Sequence, residues 1–456
     1  MSDPARPDPV VHATAAIVSQ GDEIVLGQTL DTNSRALAGR LMDLGIVPVE
    51  HVSLPDDEAA IAACFARLSS SVDLILCTGG LGPTADDLTR AALARAMGRP
   101  LVEDARSLER IRAWFAGRGR EMPEINRVQA MLPEGAAAID NDHGTAPGIA
   151  ARLGRADVFC LPGPPAELRP MVERFVAPVL RPPAGRTVRT GVVHTIGLGE
   201  SDLASRLKNS PRGDLMERTR MPLVGTTASG GVVSARVRYE GPEPAERAGA
   251  IVAGLVAHVR DLAGAYAFAS EGAPHESLPA AVIEALRRRG ETLVVAESCT
   301  AGLLGSMIGD VPGASVVFLG GVITYHNRLK VELAGVEAGV LEGSGGARPP
   351  GAVSGACAEA MASGARARCG AGWALSVTGI AGPGGAVEGK PVGTVYIGIA
   401  GPTGVIAGGV SSRRFAMGGD RRAVREWSAR SALGMLWLAL VGEPAARMLR
   451  QVDEVG

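Results

Sequence analysis

Only three of the chain's 46 basic residues are lysines: Lys208, Lys330 and Lys390. Arginine keeps its proton at physiological pH, whereas a desolvated lysine can release it and act as a base. Lys330 ends the stretch Thr324-Tyr325-His326-Asn327-Arg328-Leu329-Lys330, shortly after a tyrosine. A hydroxyl for such a base stands in Ala296-Glu297-Ser298-Cys299-Thr300, where an apolar run gives way to helical spacing. A serine at that junction meets amides that can stabilise an oxyanion, and the Tyr325 hydroxyl can relay a proton. Each residue also has an ordinary role: Ser298 as a helix N-cap, Cys299 as a small buried side chain, Tyr325 as an aromatic anchor and Lys330 as a solvated charge.

A long glycine loop follows between two apolar runs, from Ser376 to Tyr396. Gly379, Gly382 and Gly384 can cradle a phosphate with main-chain amides, and Thr378 adds a hydroxyl. Lys390, or Arg421 in Gly418-Gly419-Asp420-Arg421, can meet the phosphate charge. Gly384 to Lys390 has Walker A spacing, but Pro391 stands where that motif needs Ser or Thr, and a strand follows. A P-loop nucleotidase is therefore excluded.

A second glycine loop, Thr78 to Thr89, contains Gly79, Gly80 and Gly82 after a buried strand and before a helix. Such a loop binds anions. Asp86 and Asp87 at the expected helix start read equally as caps or as ligands of a divalent ion held against a diphosphate. Ser19 to Glu23 and His143 to Gly148 also fit a site, or read as ordinary turns between strand and helix, and Leu161 to Pro165 reads as a rigid turn at a strand end.

These residues need a scaffold. The chain has 456 residues, 46% hydrophobic and 21% charged, enough for about three domains. A net charge of −2 and 3% aromatics argue against nucleic-acid binding. Six scattered cysteines form no CxxC pair, so neither zinc nor disulfides are indicated. No signal segment or membrane-length apolar run is apparent, and a cytoplasmic location is expected. From residue 10 to 180, strands and helices alternate: strand, helix Asn33 to Leu44, strand from Val47, helix Asp56 to Leu68, strand from Asp73, helix Asp86 to Met97, strand from Asp157 and helix Glu167 to Phe175. This predicts a mostly parallel sheet with helices on both faces. After a Pro-rich break, residues 186–262 read as a small α+β module. The last domain, 275–452, alternates again: a helix to Arg289, a helix from about Thr300, one from Val353 and a closing helix from Asp420 carrying Trp427 and Trp437. Residues 1–9 read as a disordered tail.

The motifs Gly21-Asp22-Glu23, Thr78 to Leu93, Gly144-Thr145-Ala146-Pro147-Gly148 and Leu161-Pro162-Gly163-Pro164-Pro165 together resemble the N-terminal domain of the CinA family. That domain is similar to molybdopterin-binding proteins of the MoaB/MogA kind. Ala296 to Thr300, Gly320 to Lys330, Gly351 to Ser354, Thr378 to Gly385, Lys390 to Val395 and Gly418 to Arg425 resemble, in order, the family's C-terminal domain, which also occurs alone as the nicotinamide mononucleotide (NMN) amidohydrolase PncC.

The resemblance implies an α/β fold with three parts: an α/β molybdopterin-binding-like domain (10–180), a KH-like α+β module (186–262) and an α/β CinA/PncC domain (275–452). It implies conversion of NMN to nicotinic acid mononucleotide and ammonia, with Ser298 as nucleophile, Lys330 as base, Tyr325 and Thr378 assisting, and Arg421 on the phosphate. For the N-terminal domain it implies metal-dependent ADP-ribose cleavage. Asp22, Asp31, Asn33, Gly79, Gly80, Gly82 and Thr145 would line that site, with Asp86 and Asp87 on a divalent metal ion. A homodimer acting on small nucleotides, away from membrane and nucleic acid, is expected. The family name leaves a second reading, a non-enzymatic nucleotide-binding scaffold in competence or the DNA-damage response. Five positions depart from the family's pattern: Ile125 and Val128 where Asn and Lys are usual, Asp142 and His143 where Pro and Val are usual, and Ala301 where Gly is usual.

Overall fold

The computed structural model describes residues 11–270, 277–342 and 350–452, so the expected tail at 1–9 and part of the Gly-rich stretch before Ser354 lie outside it. The chain forms two compact units, Met1–Arg189 with Glu240–Ala248, and Thr190–Tyr239 with Gly249–Gly456.

The first unit is built on a six-stranded mixed sheet. Thr14–Gln20 lies between Val47–Leu54 and Leu74–Thr78, all parallel, and Ala156–Leu161 continues the parallel run beside Leu74–Thr78. Gly148–Leu153 and Ala137–Ile139 then add antiparallel strands. The sheet is thus less parallel than expected, because only a tight turn separates Gly148–Leu153 from Ala156–Leu161, and so short a link can join only antiparallel neighbours. Every residue of Leu74–Thr78 is buried, as a central strand covered on both faces requires. Helices Thr32–Asp43 and Glu58–Ser71 start at Asp31 and Asp57, whose carboxylates accept amides of Ser34 and Ala60 at 2.8 Å.

The second unit has a four-stranded sheet formed by Leu223–Ser229, Val232–Gly241, Thr187–Ile196 and Ala267–Ser270, in that order, though the ends of two strands fall in the first unit. Helix Ala245–Ala263, continued by a short turn to Tyr266, is by length and composition apolar enough to cross a membrane. Ala248, Val252, Leu255, Val259 and Ala263 are nevertheless its buried positions, the spacing of one helix face.

The unit's six-stranded sheet has Leu293–Glu297 at the centre of its parallel part, between Phe318–Ile323 and Trp373–Gly379. Thr394–Ala400, Val410–Ala416 and Gln451–Val452 follow antiparallel. Gly355–Cys369 and Arg421–Leu440 are its long helices. Trp437 is buried and its ring N–H donates to the Ala265 carbonyl at 2.9 Å, while Arg450 lies over the Trp427 ring. Ser298 thus leaves the carboxyl end of a strand flanked by parallel neighbours, where ligands of such sheets bind.

Candidate active site

The strand Leu293–Glu297 runs into a turn, and no helix begins at Ser298. Helix Leu303–Gly309 starts later, its N-cap is Gly302, and no side chain caps it. Ser298 is therefore not an N-cap. Its Oγ lies 3.0 Å from Lys330 Nζ, although its residue is only 7% exposed. The Ser298 amide donates to the Val377 carbonyl at 2.9 Å and so ties the turn to the neighbouring strand.

Lys330 comes from helix Asn327–Ala334, started by His326, whose Nδ1 accepts the Arg328 amide at 3.2 Å. Lys330 is 2% exposed. Its Nζ also donates to the Thr324 carbonyl at 2.7 Å and the Tyr325 carbonyl at 3.4 Å. Burial holds it below the ordinary lysine value, because desolvation penalises the charged form. Glu297 points elsewhere: its carboxylate accepts the amides of Leu304 and Gly305 at 3.0 and 2.8 Å. Burial pushes the Cys299 thiol up to about 12, so at neutral pH it is a thiol and a poor nucleophile.

Tyr325 is joined to Lys330 through its carbonyl. Its hydroxyl accepts Arg421 Nη2 at 2.6 Å, and the residue is 53% exposed. Arg421 Nη1 donates to the Gly382 carbonyl at 2.7 Å, bringing the glycine loop to the same place. Thr378 Oγ1 donates to the Ala352 carbonyl at 2.6 Å and is spent on the fold. Gly379 serves sheet packing: a Cβ there would come within 2.8 Å of the Thr394 carbonyl. Gly384 faces open space. Lys390 donates to the Pro350 carbonyl at 2.9 Å.

In the first unit, Asp31, Asn33, Gly79, Gly80, Gly82, Asp86, Asp87 and Thr145 line one cleft of about 490 Å³. Asp22 is not among its lining residues; its carboxylate and amide instead exchange bonds with the amide and carboxylate of Asp56, each at 3.2 Å. Helix Thr89–Met97 begins beyond both aspartates, so neither is its cap. Asp87 accepts the Gly82 and Thr84 amides at 2.7 and 2.8 Å and the Thr84 hydroxyl at 2.5 Å. A Cβ on Gly82 would fall on that carboxylate, which is why glycine stands there. Burial raises the Asp31 pKa, but bonds from Ser34 and Ser19 outweigh it and leave the group lowered. Asn33 Nδ2 bridges Thr78 Oγ1 and the Gly163 carbonyl at 3.0 and 2.7 Å.

Among the described residues, no group of three or more His, Cys, Asp or Glu side chains is gathered to hold a metal. With both Asp87 oxygens engaged, the donors do not fit a preformed metal centre; Asp86 stays open to a cation carried by a ligand.

Residues 275–440 match the CinA C-terminal domain family, and residues 16–182 match the family described as Probable molybdopterin binding domain. A competence-damage inducible protein of Symbiobacterium thermophilum is 41% identical over 436 residues, covering 94% of this chain and 99% of the relative. The chain belongs to the CinA family. A CinA-like protein of Geobacter sulfurreducens is 40% identical over 92% of this chain and 98% of its own. A solved competence/damage inducible protein from Agrobacterium tumefaciens is 36% identical, covering 36% of this chain and 93% of its own, with a TM-score of 0.32.

Two departures from the CinA pattern fall clear of the cleft. Ile125 and Val128 are 58% and 38% exposed and do not line it. Their buried neighbour Gln129 does, and donates to the Leu81 carbonyl at 3.4 Å. Another departure sits in the turn after Ser298, where Ala301 has φ 50°, a left-handed conformation that favours glycine.

Sequence reading assigned no role to Asp56 or Arg425, and left Gln20 unnamed within the Ser19 to Glu23 stretch. Asp56 and Gln20 line the cleft, and Gln20 Nε2 donates to Asp56 Oδ1 at 3.0 Å; the position of Asp56 just past the end of Val47–Leu54 was an available signal. Arg425 donates to the Thr300 carbonyl. Its four-residue spacing from Arg421 on one helix was the clue.

Proposed function

We propose that the second unit hydrolyses the carboxamide of nicotinamide mononucleotide to nicotinic acid mononucleotide and ammonia by a Ser/Lys mechanism. The observation that carries this reading is the buried Lys330 amine between Ser298 Oγ and two carbonyls. A neutral amine has two N–H bonds, which the carbonyls of Thr324 and Tyr325 can take. Its lone pair then faces Ser298 Oγ and accepts the hydroxyl proton. The Ser298 oxygen attacks the carboxamide carbon, and the carbonyl electrons move onto oxygen. When the intermediate collapses, the C–N bond breaks and the Lys330 ammonium returns its proton to the leaving nitrogen as ammonia. Water, deprotonated by the same amine, cleaves the acyl-serine ester and releases the carboxylate product. Arg421, at the first turn of its helix beside the glycine loop, is the residue for the nucleotide phosphate.

Ammonia release from NMN tests this. Wild type is expected to release ammonia, whereas Ser298→Ala and Lys330→Arg, which retains charge but not basicity, are expected to be inactive. A folded, inactive wild type overturns the assignment and favours the non-enzymatic scaffold.

For the first unit we propose a nucleotide diphosphate such as ADP-ribose, accompanied by a divalent ion. The observation favouring an ion is electrostatic. Glu23, Asp56 and Asp86 line the cleft, and no Lys or Arg is among its described lining residues. A bare diphosphate would be repelled there. Asp86 would share the ion with the phosphates. Thermal stabilisation by ADP-ribose that requires Mg²⁺ or Mn²⁺ and is lost in Asp86→Asn is the expected result; equal stabilisation without metal would overturn it.

A further inference from the structure

Beyond Ser298 and Lys330, a third element fixes the nucleophile's turn. The turn closes through the Ala301 amide on the Ser298 carbonyl at 3.1 Å. Among the described residues, the amides of Cys299 and Thr300 meet no main-chain acceptor. Thr300 Oγ1 is buried and, among the described residues, has no hydrogen-bond partner. The Thr300 carbonyl, by contrast, is heavily used. It accepts the Leu303 amide at 3.2 Å and two donors of one guanidinium, Arg425 Nε at 3.2 Å and Nη2 at 2.7 Å.

Arg425 stands one helical turn beyond Arg421, near the start of Arg421–Leu440. The helix is pinned by Asp420, whose carboxylate accepts the Ala423 amide at 2.8 Å. Two neighbouring arginines of one helix thus reach three parts of the site. Arg421 reaches the Tyr325 hydroxyl and the Gly382 carbonyl, and Arg425 reaches the Ser298–Ala301 turn. A planar guanidinium with two N–H groups on one oxygen restrains the orientation of that peptide group as well as its distance.

We infer that Arg425 is a positioning residue for acyl transfer: by locking the Thr300 carbonyl it fixes the turn whose Cys299 and Thr300 amides receive the oxyanion formed when Ser298 attacks. This rests on the proposed Ser/Lys hydrolysis. Arg425 hydrogen-bonds neither to Ser298 nor to Lys330, so it acts on geometry. Its loss lowers kcat and leaves KM nearly unchanged, because a misplaced oxyanion donor weakens only the transition state.

The test uses the full chain, with two readouts. The first is ammonia release from NMN. The second is the rate at which a fluorophosphonate probe labels Ser298, forming an O–P bond and expelling fluoride; this depends on the same amides but not on NMN recognition. Ser298→Ala is the blank. Arg425→Ala is expected to lose about 10²-fold in kcat with KM changed less than about threefold, and to label more slowly by a similar factor. Added guanidinium ion should restore part of both rates, and Arg425→Lys should be intermediate. Unchanged kcat and labelling in Arg425→Ala overturn the inference. So does a loss that tracks unfolding by circular dichroism and is not rescued by guanidinium. If Arg425→Ala does not fold, Arg425→Lys and Arg425→Gln carry the same kcat-against-KM comparison. A wild type that labels but leaves NMN untouched overturns only the substrate assignment, and the labelling rates then decide the role of Arg425. A wild type that does neither overturns both.

Discussion

Each unit hangs a loop from the carboxyl end of a buried strand, and an arginine holds each loop by its carbonyls. In the first unit the arginine is Arg90, 3% exposed, with Nη1 on the Gly82 carbonyl at 3.0 Å and Nη2 on the Leu81 carbonyl. Burial lowers it to about 10, opposed by Asp87, and its Nε has no partner among the described residues. Asp87 holds the same loop by its amides. All these contacts join residues within a ten-residue stretch. In the second unit the equivalent work is done across the chain: Lys330 comes from 32 residues beyond Ser298, and Arg425 from 125 residues beyond Thr300. A locally built loop keeps its shape when distant elements shift. A site assembled from three elements depends on the packing of all of them.

The largest effect separating the two should come from Lys330→Met. Ammonia release falls by about 10³-fold or more, while metal-dependent ADP-ribose binding in the first unit is untouched. The pH profile sharpens this. Lys330 must be neutral to accept the Ser298 proton, and burial lowers its pKa. Wild-type kcat/KM therefore rises with pH and levels off below the ordinary lysine value; a profile rising only at that ordinary value breaks the argument.

Next is Arg90→Met, which removes the donors from the Leu81 and Gly82 carbonyls and leaves Asp87 facing a loop without its buried cation. The expected cost is about 2 kcal/mol, read as faster hydrogen exchange at residues 79–84 with ammonia release unchanged.

The helix caps give a smaller and more discriminating pair. Asp57→Ala and Asp420→Ala should each cost about 1 kcal/mol in denaturant titrations. Only Asp420→Ala should also lower kcat, because its helix begins with Arg421 and carries Arg425.

The smallest effect is Ala301→Gly. Relief of the left-handed alanine is partly offset by the greater freedom of glycine in the unfolded chain, leaving a gain of about 0.5 kcal/mol. Stability measured by urea titration should rise slightly; a loss would mean that the alanine methyl is packed.

Much of the fold was legible. Val47–Leu54 begins and Leu278–Arg289 ends at the residues expected of them, because apolar runs and capping residues act over a few positions. The strands Gly148–Leu153, Leu223–Ser229 and Val410–Ala416 were not recognised. Each mixes polar and apolar residues and becomes a strand only because a neighbour offers its hydrogen bonds. Helix starts were placed early at Asp86 and Thr300, since in both places a hydrogen-bonded turn precedes the helix.

By itself, the sequence determined the chemical types at each loop: the rare lysine, the serine after an apolar run, the glycines and the paired aspartates. Those follow from local composition and spacing. Only the tertiary structure decided what each does. It showed that Ser298 meets a lysine and is not a cap, that Tyr325 reaches that lysine through its carbonyl, and that Asp87 serves its own loop. A hydrogen bond depends on distances of a few tenths of an ångström between residues far apart in the chain, and the packing of strands and helices sets those distances.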